Sequence, residues 1–413
     1  MKRDAALQRT ICIDIHRLFP MSVQPSLLLA FLIVALTSVG PLSTDFYLPA
    51  LPAIAQALGS DSGGAQLTLS AYMIGFGSGQ LIIGPLSDRY GRRPVMMWGT
   101  LVFVLASAAC ALADTVETLV LARFVQALGA CVGPVLGRAV VRDVYGPHEA
   151  ARVLSHVSTA TALAPLLAPV FGGWLSAQFG WRSTFIVLTG YGLALILLAR
   201  VVLQETNLQP DLQAMHPRRM LANYATLLRD RRYLGALLVG CGAFTALFAF
   251  ISGSAFVYIG IYRMSPEQMG IAFGANVTGY MISSTLSARY SRRVGSERMI
   301  LFGTVLGSLA GLLMVGLNLA GVYSLAAVMG PMWLVTFAVG LVLPNSAALG
   351  LMDYPRMAGS AASMMGFAQM GLASGVGMVV GHKLSDSVLP LAYAVSGGML
   401  FAWLVWLLLL RRR

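Results

Sequence analysis

Two ionisable residues stand inside long apolar stretches of this chain, Asp45 and Arg123. A carboxylate or guanidinium buried among apolar side chains is costly and is kept there for a function. A carboxyl in such a place can take up and release a proton. Burial and a nearby cation act on it in opposite senses, and proton coupling needs that near balance. Asp45 falls about five residues before Ala50, the expected outer end of the first helix. Arg123 falls six residues after Glu117, the expected start of the fourth. At about 1.5 Å per residue the two lie at similar depth, so they are the expected proton-coupling pair.

A second group is the segment Gly84-Pro85-Leu86-Ser87-Asp88-Arg89-Tyr90-Gly91-Arg92-Arg93-Pro94. Here Asp88 ends a helix, Gly91 allows a tight turn, and Arg89, Arg92 and Arg93 crowd around it. Asp88 can pair with Arg92 or with a helix end elsewhere, which makes a conformational latch. Pro169, Gly172 and Gly173 are placed to bend a helix and let another approach closely. Polar, aromatic and Met side chains in the apolar runs are the candidates to line a substrate cavity. They are Tyr47, Gln126, Phe244, Phe248, Tyr258, Asn276, Tyr280, Asn345, Met365 and Gln369. There is no metal cluster, no Ser/His/Asp set and no phosphate loop of the G-x-x-x-x-G-K-[ST] type, so neither an enzyme nor an ATP-driven pump is expected. No cofactor is expected beyond a proton gradient. The cysteines show no disulfide or zinc spacing.

The elements that position these residues follow from composition. Of 413 residues, 57% are hydrophobic and 11% charged, against about 25% charged in soluble domains. The mean hydropathy is +0.76. Runs free of charge, each near the roughly 20 residues that span a bilayer, recur along the chain. They are Leu18 to Thr44, Ser62 to Ser87, Pro94 to Ala113, Val153 to Trp181 and Ser183 to Ala199 in the first half. Tyr233 to Tyr262, Gln268 to Ala288, Met299 to Met352, Met357 to His382 and Ser387 to Leu410 follow. Glu117 to Val141 adds a span broken only by Arg123 and Arg138. The run Met299 to Met352 divides into two near Asn318 to Tyr323. Twelve helices result, because unpaired backbone in lipid leaves no other regular structure for such runs.

The formal charge of +12 is topological rather than a sign of nucleic-acid binding. All basic residues except Arg123, Arg182, Arg263 and Lys383 fall in connections that share one side with both termini. The positive-inside rule makes that side cytoplasmic. Gly79 to Arg93 and Gly279 to Arg293 agree at eight of fifteen positions, including R-Y-x-R-R. The repeat predicts residues 1–25 as a cytoplasmic tail, 26–203 as one six-helix bundle, 204–232 as a central loop and 233–413 as the second bundle. Such repeats mark secondary transporters, with the site between the halves. The first twenty residues do not read as a signal peptide, and a start at Met21 would leave the bundle intact.

The segment from Gly84 to Pro94 resembles the loop motif of the major facilitator superfamily. Leu119 to Gly129, with Arg123, Gln126 and Gly129, is similar to its fourth-helix motif. Ala168-Pro169-Val170-Phe171-Gly172-Gly173 resembles the fifth-helix motif of proton-coupled exporters, with Ala168 where Gly is usual. Pro41 to Pro52 and Gly137 to Tyr145 resemble the bicyclomycin-resistance and chloramphenicol-efflux branch of drug:proton antiporters. The resemblance implies an all-α inner-membrane protein that exports a small amphipathic organic molecule in exchange for protons, acting as a monomer. An amino acid, sulfur compound or other metabolite as natural cargo is the alternative.

Overall fold

The computed structural model describes residues 26–161, 164–354, 357–383 and 387–411. The amino-terminal tail, with the start of the first predicted span, lies outside these residues. Among the described residues all regular secondary structure is helical. In the first half α1 is Leu27–Asp45, α2 Leu51–Ala57, α3 Ser62–Tyr90, α4 Arg92–Ala111 and α5 Val116–Ala130. Then come α6 Val132–Thr161, α7 Ala164–Phe179 and α8 Arg182–Val202. A linker helix follows, α9 Pro217–Arg229. The second half holds α10 Arg231–Ala255, α11 Pro266–Val294, α12 Ser296–Leu319, α13 Leu325–Met352, α14 Ala358–Lys383 and α15 Leu389–Val405. Among the described residues ten stretches are long and apolar enough to cross a membrane. α7 and α11 occupy the places expected for the fifth and eighth crossings.

The helix starts are written in the sequence. Ser26, Asp61, Thr115, Asp230, Ser265 and Ser324 each cap a helix by accepting a backbone N–H of its first turn. Such caps satisfy donors that the helix itself leaves unpaired.

Three boundaries differ from the sequence reading. The first crossing does not stop at Ala50: a 3-10 turn, Leu48–Ala50, leads into α2, so the span runs to Ala57. Pro49 and Pro52 fall at helix starts, where a missing N–H costs nothing. The fourth crossing breaks at Cys131 into α5 and α6. The two repeat copies also turn at different points. Gly91, at φ +98°, ends α3, whereas Ser291 continues α11 to Gly295, at φ +90°. Only glycine takes this backbone conformation cheaply, so the turn waits four residues for the next glycine.

The helices of both halves share one continuous buried apolar cluster, and two helix pairs make most of the contact between the halves: α3 with α14, and α7 with α11. Ser70 and Ser374 exchange hydroxyl-to-carbonyl hydrogen bonds, at 3.3 and 3.0 Å. The Gln66 amide donates to the Ser252 carbonyl at 2.9 Å, and the Ser62 hydroxyl to the Gly381 carbonyl at 3.0 Å. Gly173 faces the Pro266 carbonyl, and Gly270 faces that of Pro169. These contacts lie toward the end opposite the Arg-rich connections. Along α3 and α14 the described contacts include Gly77 against Phe367 and Met370, and Gln80 against Gly366 and Met370. The halves are therefore joined at the end opposite the basic connections.

Candidate functional site

Asp45 is the last residue of α1 and is 4% exposed. The Thr44 hydroxyl lies 3.0 Å from its Oδ1 and 2.9 Å from the Pro41 carbonyl oxygen. One hydroxyl carries one hydrogen, so the direction of this bond depends on the state of Asp45. The carboxylate accepts from Thr44. The neutral acid can donate to Thr44 Oγ while Thr44 turns its hydrogen to Pro41. The Pro41 carbonyl, in the last turn of α1, provides that second acceptor.

Arg123, on α5, is fully buried. One of its terminal nitrogens donates to the Ser43 carbonyl at 3.0 Å and to Gln126 Oε1 at 2.7 Å. Its guanidinium lies against three rings, 4.2 Å from the centroid of Tyr72, 4.6 Å from Tyr47 and 5.8 Å from Phe185. Such cation–π contacts partly replace water around the charge. Its Nε and second terminal nitrogen have no hydrogen-bond partner. No ion pair joins it to Asp45; the connection runs through the Ser43 carbonyl, two residues before Asp45. The sequence placed the two charges near each other, and the structure puts an aromatic cage and a backbone carbonyl between them.

The other candidates separate into two groups. Tyr47, Gln126, Phe248, Tyr258, Asn276, Asn345 and Met365 are buried in this conformation. Tyr47 bonds the Thr68 hydroxyl and roofs Arg123. Gln126 turns toward α4 and donates to Ser107 at 2.8 Å. Asn276 donates to Tyr258 at 3.1 Å, and Asn345 to Ser287 at 2.6 Å. The Asn276 side-chain oxygen, Oδ1, is buried without a partner. Phe244, Tyr280 and Gln369 are half-exposed.

At the basic end Arg92 organises the loop segment. It is 5% exposed and bonds Asp88 at 2.6 Å and Asp143 at 3.2 Å. Glu205, just after α8, accepts the backbone N–H of Arg92 at 2.8 Å and of Arg93 at 3.1 Å. It thus caps α4. Asn207 donates to the Asp88 carbonyl at 2.8 Å, and the Asp211 N–H does so at 3.0 Å. Gly91 leaves the room: a Cβ there would sit 2.5 Å from a Glu205 oxygen. Arg89 lies over the Tyr90 ring, and Arg93 donates to the Arg200 carbonyl. The sequence singled out Asp88 and its arginines but missed Asp143 and Glu205. Asp143 stood inside a quoted motif. Glu205 had no local signal, because its partners are 112 and 113 residues away.

Pro169 lies inside α7, and Gly172 touches the Phe46 carbonyl, the residue after Asp45. The small residues let α7 approach the break between α1 and α2 on one side and α11 on the other.

A family model described as Major Facilitator Superfamily matches residues 27–378. An uncharacterized MFS-type transporter, YdgK of Bacillus subtilis, is 33% identical over 384 residues, covering 91% of this chain and 94% of that protein. A bicyclomycin resistance protein homolog of Haemophilus influenzae is 28% identical over 380 residues, covering 91% and 94%. Multidrug resistance protein D of Escherichia coli is 28% identical over 358 residues, covering 86% and 89%. Among solved structures, the partially occluded inward-open xylose transporter XylE from E. coli aligns with a TM-score of 0.70 at 14% identity. It covers 93% of this chain and 98% of that one. The human organic anion transporter MFSD10 (TETRAN) aligns at 0.67 and 19% identity, covering 93% and 100%. Their identities are low, so these two show the fold. The chain is a multi-pass membrane transporter and belongs to the Major Facilitator Superfamily.

Proposed function

We propose that this protein exports small amphipathic organic molecules in exchange for protons, as a monomer in a bacterial inner membrane with both termini cytoplasmic. The observation that carries the reading is Asp45. It is the carboxylate set deepest within the described spans, at the break between α1 and α2 inside the span Leu27–Ala57, and a single side-chain hydroxyl holds it. Relatives named for bicyclomycin and multidrug resistance support a drug-like cargo.

In this reading the basic end is cytoplasmic, and the joined end faces outward. Substrate enters between the parted halves. Asp45 takes a proton when the halves open outward and releases it when they open inward, as the Thr44 hydrogen bond reverses direction. Arg123 bonds the Ser43 carbonyl and makes no direct bond to Asp45, so it does not lock the carboxyl in one state. The Asp88–Arg92–Asp143 cluster and the Glu205 clasp hold the basic-end turn in the inward-open arrangement, and their rearrangement accompanies opening to the other side.

Everted vesicles with a pH-sensitive dye test this. Phenicols, bicyclomycin, sulfonamides and cysteine are offered in turn. At least one compound moves protons with the unaltered protein, and Asp45→Asn abolishes that movement while the folded protein remains in the membrane. Undiminished compound-dependent proton movement in Asp45→Asn overturns the role given to Asp45.

A further inference from the structure

The joined end of the molecule is built on one face of α3. Ser62, Gln66 and Ser70 recur every fourth residue, so they form a single line of side chains. Across the seam α14 presents small residues. The Ser62 hydroxyl donates to the Gly381 carbonyl, and Ser70 and Ser374 each donate to the other's carbonyl. Gly377 leaves room for the Phe248 ring of α10, 2.8 Å from where a Cβ would lie. Gly381 leaves room for Gln66: a Cβ there would overlap the Gln66 side-chain oxygen and lie 2.9 Å from its Cδ. Close small-residue packing and hydroxyl bonds of this kind hold membrane helices together.

One atom in this line works against closure. Gln66 is fully buried, and its Nε2 donates to the Ser252 carbonyl of α10 at 2.9 Å. Its Oε1 is buried with no hydrogen-bond donor. Turning the amide over does not cure this, because it would set Oε1 against the Ser252 carbonyl oxygen, acceptor to acceptor. Oε1 therefore faces Gly381, where a glycine Cα offers only a weak C–H contact. Burying an acceptor without a donor costs more than a typical hydrogen bond returns. Water satisfies the same oxygen once the two helices separate. The closed seam thus carries a penalty that the parted seam does not.

We infer that Gln66 sets how readily the halves part at this end: its unpaired side-chain oxygen offsets the close packing of α3 on α14 and keeps closure reversible. The inference rests on the reading that this end opens during transport, and not on the identity of the cargo or on Asp45. A proton or a cargo molecule shifts an equilibrium only by its differential affinity for the two states. A seam without the penalty would lie too far toward closure for such a shift to open it.

Spin labels on Ala57→Cys, at the end of α2, and Tyr323→Cys, between α12 and α13, report the separation of the halves at this end. Both positions are exposed. The full chain, with its other cysteines replaced, is held in lipid nanodiscs, and distances are read by pulsed electron paramagnetic resonance. The doubly labelled chain shows a shorter and a longer distance. Gln66→Met keeps the length of the side chain and removes the amide, and it raises the short-to-long ratio about tenfold. Gln66→Glu, whose carboxylate is stable only in water, lowers the ratio. Gln66→Leu replaces Gln66→Met should that variant fail to fold. A residue that merely packs the seam behaves differently, because both substitutions lose the bond to Ser252 and both loosen the seam. A ratio that falls or stays unchanged in Gln66→Met therefore overturns the inference and leaves the transport reading in place. A single distance in every variant overturns the parting of the halves, and the role of Gln66 with it.

Discussion

Gly172→Ala tests whether the approach of α7 to the Asp45 region is as close as the structure shows. A Cβ at Gly172 would sit 2.7 Å from both the carbonyl carbon and the Cα of Phe46, and nearer still to the carbonyl oxygen. Carbon atoms in ordinary contact are about 3.5–4.0 Å apart. Either α7 or the break after α1 must therefore move by about 1 Å. The obstacle is backbone, with no flexible side-chain tip to swing aside. Overpacking of this kind costs about 1–3 kcal/mol. The displaced residue lies between Asp45 and Tyr47, whose ring covers Arg123. Misplacement of reacting groups by about 1 Å can cost up to ~100-fold in rate. Gly172→Ala is therefore expected to lower the unfolding temperature and to slow compound-dependent proton movement at least tenfold. The control is Gly316→Ala, on α12, where an added Cβ meets nothing within 4 Å. Alanine there is expected to be neutral or to stabilise by up to ~1 kcal/mol. If Gly172→Ala matches the control in both thermal unfolding and vesicle transport, the close approach and its link to Asp45 are wrong.

Arg92→Ala leaves Asp88 and Asp143 without their shared cation and is expected to destabilise by about 2–4 kcal/mol. Arg219→Ala, which removes an exposed pair with Asp211 at 2.8 Å, is expected to cost about 0–1 kcal/mol; thermal unfolding of the two variants side by side checks the contrast. Glu205→Ala uncaps α4 and frees the linker, so limited proteolysis at Arg218 and Arg219 is expected to speed up, while unchanged cleavage would remove the clasp from the account. Asp230, the cap of α10, has its carboxyl held below the usual carboxylate range, first by the Tyr233 N–H, with Tyr354 and Arg232 adding to it. A depressed value means that its contribution is full above the unfolded pKa of about 3.9 and is lost as pH falls below it. The stability gap between the unaltered protein and Asp230→Ala, about 1 kcal/mol near pH 7, is therefore expected to shrink below about pH 4, as read by unfolding temperature against pH. Finally, Ser62→Cys with Gly381→Cys, in a chain whose other cysteines are replaced, is expected to cross-link readily and stop transport. Transport that continues with the cross-link formed would argue against separation of the halves at that end.

Much of this protein was legible without a structure. Apolar runs of bilayer length fix helices, because lipid offers backbone groups no other partner. Asp61, Thr115 and Ser265 announce helix starts, and the absence of charge elsewhere makes Asp45 and Arg123 conspicuous. These are local or compositional signals. The sequence could not reveal that Arg123 is caged by Tyr47, Tyr72 and Phe185, since those rings arrive from the turn after α1, from α3 and from α8. Glu205 looks like an ordinary loop acid until folding brings it to the amides of Arg92 and Arg93. Gln126 and Asn345 read as cavity candidates, but the sequence could not show that they donate to Ser107 and Ser287. Arg138 shows the division most plainly. Its charge and its place near a helix end are sequence facts and suggest a cytoplasmic anchor. Only the structure shows that its Nε turns back along α6 to the Pro134 carbonyl. Sequence determined which segments enter the membrane and which charges go with them. Tertiary structure decided which side chains meet, because helix rotation and long-range contact depend on the packing of all the helices together.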